Sequence, residues 1–225
     1  MGYFEKQLYR SINSSPKEVV LFDESYVYQK SVTLFIEYVE GLRSPYFFIV
    51  KGTNDKEYFK CVYKCSKIFF YTMDGIPVFN YDNSSSPKKI YAGESEDKLI
   101  ASLTRKYSWK AKKYKVEYVN LLTKKREILD MNLDKGYRTC GVFLGKEKDT
   151  TPKICRMVAY KKEKNYGPRY RLEISSGVDN MFMIALGISF AILRIKAEIY
   201  EKETLINECI KTNNYSVIAE IDGIY

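Results

Sequence analysis

The chain has 225 residues, with 37 Lys and Arg against 28 Asp and Glu, a formal net charge of +9 and no histidine. The missing histidine excludes a Ser-His-Asp triad, a Cys-His nucleophile pair and any His-ligated metal site. Hydrophobic residues at 45% and charged residues at 29% match globular usage, and the length suits one large domain.

The N-terminus, Met1 to Lys6, has no apolar run of signal-peptide type, and Lys6 stands where a myristoylation motif requires Ser or Thr. The expectation is an intracellular, cytoplasmic protein with reduced thiols. Residues 1–24 read as a lead-in. Beyond them Tyr, Phe, Val and Ile fill short alternating runs, the period of half-buried strands. In chain order the strand segments are Ser31–Tyr38, Tyr46–Lys51, Tyr58–Tyr63, Lys67–Tyr71, Val78–Tyr81, Leu99–Thr104, Lys113–Tyr118, Glu127–Met131, Thr139–Leu144, Ile154–Tyr160 and Tyr170–Ser175. Turn chemistry separates them at Gly52–Asp55, Asp74-Gly75, Asn83–Pro87 and Asp134–Gly136. About a dozen strands with short connections indicate an antiparallel barrel or sandwich.

Several stretches are read for chemistry and rejected. Cys61 and Cys65 lack the Cys-x-x-Cys zinc spacing, and strand alternation puts them on one face as buried thiols. Gly136–Gly141 begins like a phosphate loop, but Val142 replaces the required Lys. Glu94–Asp97 lacks EF-hand spacing. Neither a cofactor nor a metal is expected, and no nucleophile, base and orienting group assemble into an enzyme site.

Nine basic residues lie between Arg105 and Arg126 against one carboxylate, Glu117. The candidate polyanion-binding set is Lys106, Lys110, Lys112, Lys113, Lys115, Lys124, Lys125 and Arg126, with Tyr107 and Trp109 interleaved. Such a cluster admits three readings: a solvated barrel face, a docking surface for anionic membrane, or a nucleic-acid surface. A second basic region holds Lys153, Arg156, Lys161, Lys162, Lys164, Arg169 and Arg171.

Met181–Leu193 carries no charge and is apolar all round. As a helix these 13 residues span roughly 20 Å, too short for a bilayer core of about 30 Å. The run reads as a buried helix, with Asp179 capping its start and Arg194 and Lys196 at its far, negative end. Ile192, Ile195, Ile199, Ile206 and Ile210 fall near one face of a continuation that Asn213-Asn214 would stop.

The segment Gly177-Val178-Asp179-Asn180-Met181-Phe182-Met183-Ile184-Ala185-Leu186 resembles the Gly-Val-Asp-x-x-Phe-x-x-Ala-Leu block that closes LURP-one-related proteins, a family of the tubby C-terminal-like group. Phe48–Gly52 and Met73–Val78 are similar to that family's early strands. The resemblance covers about residues 25–197, with 198–225 as a C-terminal extension. It implies a mainly β fold, a tubby-like closed antiparallel barrel of about twelve strands around a central hydrophobic C-terminal helix. It also implies a non-catalytic regulatory or adaptor domain that docks on anionic membrane, with phosphoinositide a candidate ligand. A protein partner is the alternative, and nucleic acid a third reading.

Overall fold

In a computed structural model, residues 2–39, 48–64, 66–160 and 168–211 are described. A short helix α1 (Tyr3–Tyr9) precedes twelve strands. These are β1 (Val32–Tyr38), β2 (Phe48–Gly52), β3 (Glu57–Lys64), β4 (Lys67–Thr72), β5 (Pro77–Asp82) and β6 (Lys88–Ala92). They continue with β7 (Leu99–Lys106), β8 (Lys112–Val119), β9 (Arg126–Leu133), β10 (Thr139–Phe143), β11 (Lys153–Ala159) and β12 (Arg169–Ile174). A long helix α2 (Asn180–Lys211) follows.

Each strand pairs antiparallel with its sequence neighbours, and β1 pairs with β12 from Val32 opposite Ile174 to Glu37 opposite Arg169. The sheet therefore closes and leaves no edge. Side-chain alternation sends Tyr114, Val116 and Tyr118 of β8 inward, with Leu129, Met131 and Leu133 of β9 and Phe79 and Tyr81 of β5. Lys113, Lys115 and Glu117 of β8 take the outer face.

The interior of a twelve-strand barrel is too wide for strand side chains alone to fill. The first part of α2 fills it. Every residue from Met181 to Ile192 is buried. Phe182 packs on Tyr118 with ring centroids 5.4 Å apart, and Phe190 sets its ring edge against Tyr170 at 5.8 Å. Gly187 marks the closest approach to the barrel seam: a Cβ there would lie 2.7 Å from a Leu172 methyl and 2.8 Å from an Ile36 methyl.

Asp179 starts the helix. Its Oδ1 accepts from the Phe182 amide at 3.1 Å, while Oδ2 accepts from the amides of Leu21 and Phe22 at 3.0 and 2.8 Å. Burial raises the Asp179 carboxyl above its ordinary value, and these amides pull it back. One carboxylate thus caps α2 and pins the lead-in segment, whose Val19 and Val20 close that end of the barrel. Gly177, two residues earlier, turns with φ +75°, a conformation that favours glycine.

The structure departs from the sequence reading in three places. Strand β6 forms from Lys88-Lys89-Ile90-Tyr91-Ala92, a run too short and too charged at its start to show alternation. Leu99 is exposed although Ala101 and Leu103 point inward, because the β6–β7 register shifts at Ile90/Tyr91. The lead-in contains a helix, α1, laid on the outside of β10 and β11. The helical continuation expected beyond the apolar run is present: α2 runs on to Lys211, and within it Arg194 pairs with Glu198 at 2.7 Å and donates to the Tyr137 carbonyl. Cys61, Cys140 and Cys155 are buried free thiols. Cys65, the stop at Asn213-Asn214 and Lys161–Lys164 lie outside the described residues, as do the side chain of Cys209 and the first two residues of the predicted strand Tyr46–Lys51.

Candidate docking surface at the end of the barrel

In an antiparallel meander, alternate turns lie at opposite ends. The β7–β8 and β9–β10 turns share the end from which α2 emerges, as the Arg194 bond to Tyr137 in the β9–β10 turn requires. The β8–β9 turn lies at the other end, where the Leu121 amide donates to the Val20 carbonyl of the lead-in. The eight residues of β8 between them span about 25 Å. The basic run from Arg105 to Arg126 is therefore continuous in sequence and divided in space.

It falls into three groups. Lys124, Lys125 and Arg126 are exposed at the lead-in end. Lys106, Lys113 and Lys115 lie on or beside the outer face of the sheet, each beside a carboxylate: Lys106 with Asp130 at 3.5 Å, Lys113 with Glu147 at 3.2 Å and Lys115 with Glu117 at 2.6 Å. Arg105, Lys110 and Lys112 gather at the end where α2 exits, joined by Lys135 from the β9–β10 turn. Among the described residues no carboxylate pairs with any of these four. Lys112 instead lies over the Tyr137 ring, 5.9 Å from its centroid.

Three of the last group, Arg105, Lys112 and Lys135, line an open cleft of about 570 Å³ together with Lys106, Tyr107, Ser108, Trp109 and Ala111, and Lys110 is exposed on the loop beside it. Ala111 is buried and anchors the hairpin loop, while Tyr107 and Trp109 are 80% and 79% exposed. The two rings meet edge to face, with centroids 5.3 Å apart and planes at 82°. Nearby, burial and then repulsion from Lys196 lower the Lys88 ammonium, so cations crowd elsewhere on this end too.

The described residues of the second basic region serve the fold. Lys153 is fully buried and donates to the Gln7 carbonyl at 2.8 Å. Arg156 binds Glu173 and the Leu8 carbonyl, Arg169 pairs with Glu37 at 2.9 Å, and Arg171 pairs with Glu173 at 2.5 Å. Sequence reasoning missed Glu147, the outer-face hub. It accepts from Gln7 Nε2 at 2.7 Å, Asn132 Nδ2 at 2.9 Å, the Tyr3 hydroxyl at 3.1 Å and Lys113. Nothing near Gly145-Lys146-Glu147 in sequence announces this role, because every partner comes from another element.

The profile of the LURP-one-related family matches residues 32–191, well over half of the chain. The chain belongs to the LURP-one-related family. This LURP-one-related chain is also similar to a solved X-ray structure of a protein from Arabidopsis thaliana, with 16% identity and a TM-score of 0.55 over 77% of this chain and 98% of that one. At that identity the likeness establishes the fold alone. No curated protein matches. The family match ends at Ile192's neighbour Ala191, where α2 leaves the barrel. No helix among the described residues is long and apolar enough to cross a membrane, and no cluster of metal-ligating side chains occurs among them. Family and fold together fit a non-enzymatic domain.

Proposed function

We propose that this domain is a non-catalytic docking module that binds reversibly to anionic, phosphoinositide-bearing membrane through the barrel end built by the β7–β8 hairpin. One observation carries the reading: Arg105, Lys112 and Lys135 line an open cleft, Lys110 stands exposed on the adjoining hairpin loop, and among the described residues no carboxylate pairs with any of the four. Lysines near an anionic leaflet contribute about 1 kcal/mol each, so a group of four acts where a single lysine would not. The paired lysines of the outer face contribute less, since their carboxylates already offset them. Co-sedimentation with vesicles, with and without inositol phospholipid and alongside DNA at matched salt, tests this. Retention that rises with inositol phospholipid supports it. Equal retention on any polyanion reduces it to general electrostatics.

A second reading has its own observation. Beyond the barrel α2 exposes Ile199 and Ile210 on one face, with half-buried Ile206 between them, and an apolar helix face of this kind suits a protein partner. Absence of vesicle binding, with a partner held by this part of α2, would favour the adaptor role over membrane docking.

A further inference from the structure

Tyr107 and Trp109 do nothing for the core. They stand 80% and 79% exposed on a hairpin loop whose anchor, Ala111, is buried behind them. Their edge-to-face contact presents the two rings as one aromatic wedge beyond the strand ends. Tyr and Trp carry an apolar body with one polar atom, and such side chains partition to the boundary between lipid headgroups and acyl chains. Directly beside the wedge are Arg105, Lys110 and Lys112, free of carboxylates among the described residues, and the cleft that Arg105 and Lys112 help to form. Resting on the membrane reading above, we infer that the Tyr107–Trp109 tip inserts into the headgroup boundary of an anionic bilayer, while the cleft at its side holds a lipid phosphate.

Aromatic rings among cations also suit single-stranded nucleic acid, and the geometry argues against that occupant. Strand binding needs a basic track with successive stacking platforms. Here the wedge is one edge-to-face pair, and the route along β8 to Lys124–Arg126 passes Lys113 and Lys115, both already paired with carboxylates. A bilayer asks for no track. It needs one aromatic tip and adjacent cations, and the β7–β8 hairpin supplies both.

Trp109 is the single tryptophan of the chain, so intrinsic tryptophan emission reports on the tip alone. The test mixes the full chain with phosphatidylcholine vesicles, with the same vesicles containing phosphatidylserine or phosphatidylinositol 4,5-bisphosphate, and with a single-stranded oligonucleotide. Insertion predicts a shift of emission to shorter wavelength, and quenching by acyl-brominated lipid, on the anionic vesicles only. Trp109→Ala should weaken vesicle binding by about tenfold or more, as expected for a ring withdrawn from water. Tyr107→Ala should do likewise while Trp109 still reports. Both side chains are exposed, so both variants keep the fold. Sedimentation with anionic vesicles without any change in Trp109 emission overturns insertion and leaves surface docking standing. No sedimentation overturns both. An emission change with oligonucleotide and none with vesicles assigns the tip to nucleic acid and overturns the inference.

Discussion

The Ser189 hydroxyl donates to the Tyr81 hydroxyl at 2.6 Å, with both residues fully buried between α2 and β5. The bond joins the central helix to the barrel wall. Ser189→Ala should cost about 1–3 kcal/mol by leaving the Tyr81 hydroxyl unsatisfied, and Tyr81→Phe a similar amount. The double variant Ser189→Ala, Tyr81→Phe should cost little more than either alone. Chemical denaturation of the four proteins measures this, and additive losses would show that the pair is not coupled.

The same interior makes α2 intolerant of charge only where it is enclosed. Ile188 is fully buried and Ile199 is 48% exposed. Ile188→Asp should cost several kcal/mol and yield no soluble, cooperatively folded protein. Ile199→Asp, eleven residues further on, should melt close to the parent protein. Circular dichroism melting and gel filtration compare them, and a folded Ile188→Asp protein would contradict a helix inside the barrel.

Lys153 makes stability depend on pH. Burial, with Arg156 and Arg10 nearby, lowers its ammonium from an ordinary 10.5 to about 8. The folded chain gives up this proton before the unfolded chain does. Between about pH 8 and about pH 10.5 the unfolded state therefore holds more protons at this site, and the contribution of Lys153 to stability rises with pH across that window. Burial raises Tyr3, Tyr81, Tyr118 and Tyr170 and the thiols of Cys61, Cys140 and Cys155, so their unfolded forms lose protons first within the window and oppose the Lys153 effect; comparison with Lys153→Met removes that shared background. Thermal melts at about pH 7.5 and about pH 9.5 should show a more favourable shift for the parent protein than for Lys153→Met. Identical shifts in the two proteins would contradict the assignment.

Glu147 holds α1 to the barrel. Glu147→Ala leaves the Tyr3 hydroxyl, Gln7, Asn132 and Lys113 without their common acceptor. The loss should be about 2–3 kcal/mol, since hydrogen bonds to a charged group are among the stronger ones. Limited trypsin digestion should then cut at Lys6 or Arg10 before it attacks the barrel. Equal protection of those sites in the parent and variant proteins would show that α1 is held by other contacts.

The barrel was readable because its strands bury one face. Tyr114, Val116 and Tyr118 alternate with Lys113, Lys115 and Glu117, and the structure sends the two sets to opposite sides. Met181–Ile192 was readable because an all-round apolar helix has only an interior to occupy. Strand β6 was not, since Lys88 and Lys89 mask its period. The basic run misled for a topological reason. Consecutive residues on one strand reach both ends of a barrel, so closeness in sequence between Lys112 and Lys124 becomes a separation of nearly a strand's length. Lys135, by contrast, joins the cleft from a different hairpin, and only the pairing of β8 with β9 brings it there. Lys153 read as one more surface cation because burial of an ammonium depends on a partner, the Gln7 carbonyl, that lies far away in sequence.

The central claim is that one end of the barrel carries membrane docking. The most direct measurement is co-sedimentation with anionic vesicles, at fixed salt, of two triple charge reversals. One variant is Lys110→Glu, Lys112→Glu and Lys135→Glu at the β7–β8 end; the other is Lys124→Glu, Lys125→Glu and Arg126→Glu at the opposite end. The six positions are exposed or partly exposed, so both variants should fold. At about 1 kcal/mol per lysine, the first should weaken binding by roughly a hundredfold or more, and the second should change it far less. Equal losses, or a larger loss from the second variant, would contradict a docking surface at the β7–β8 end.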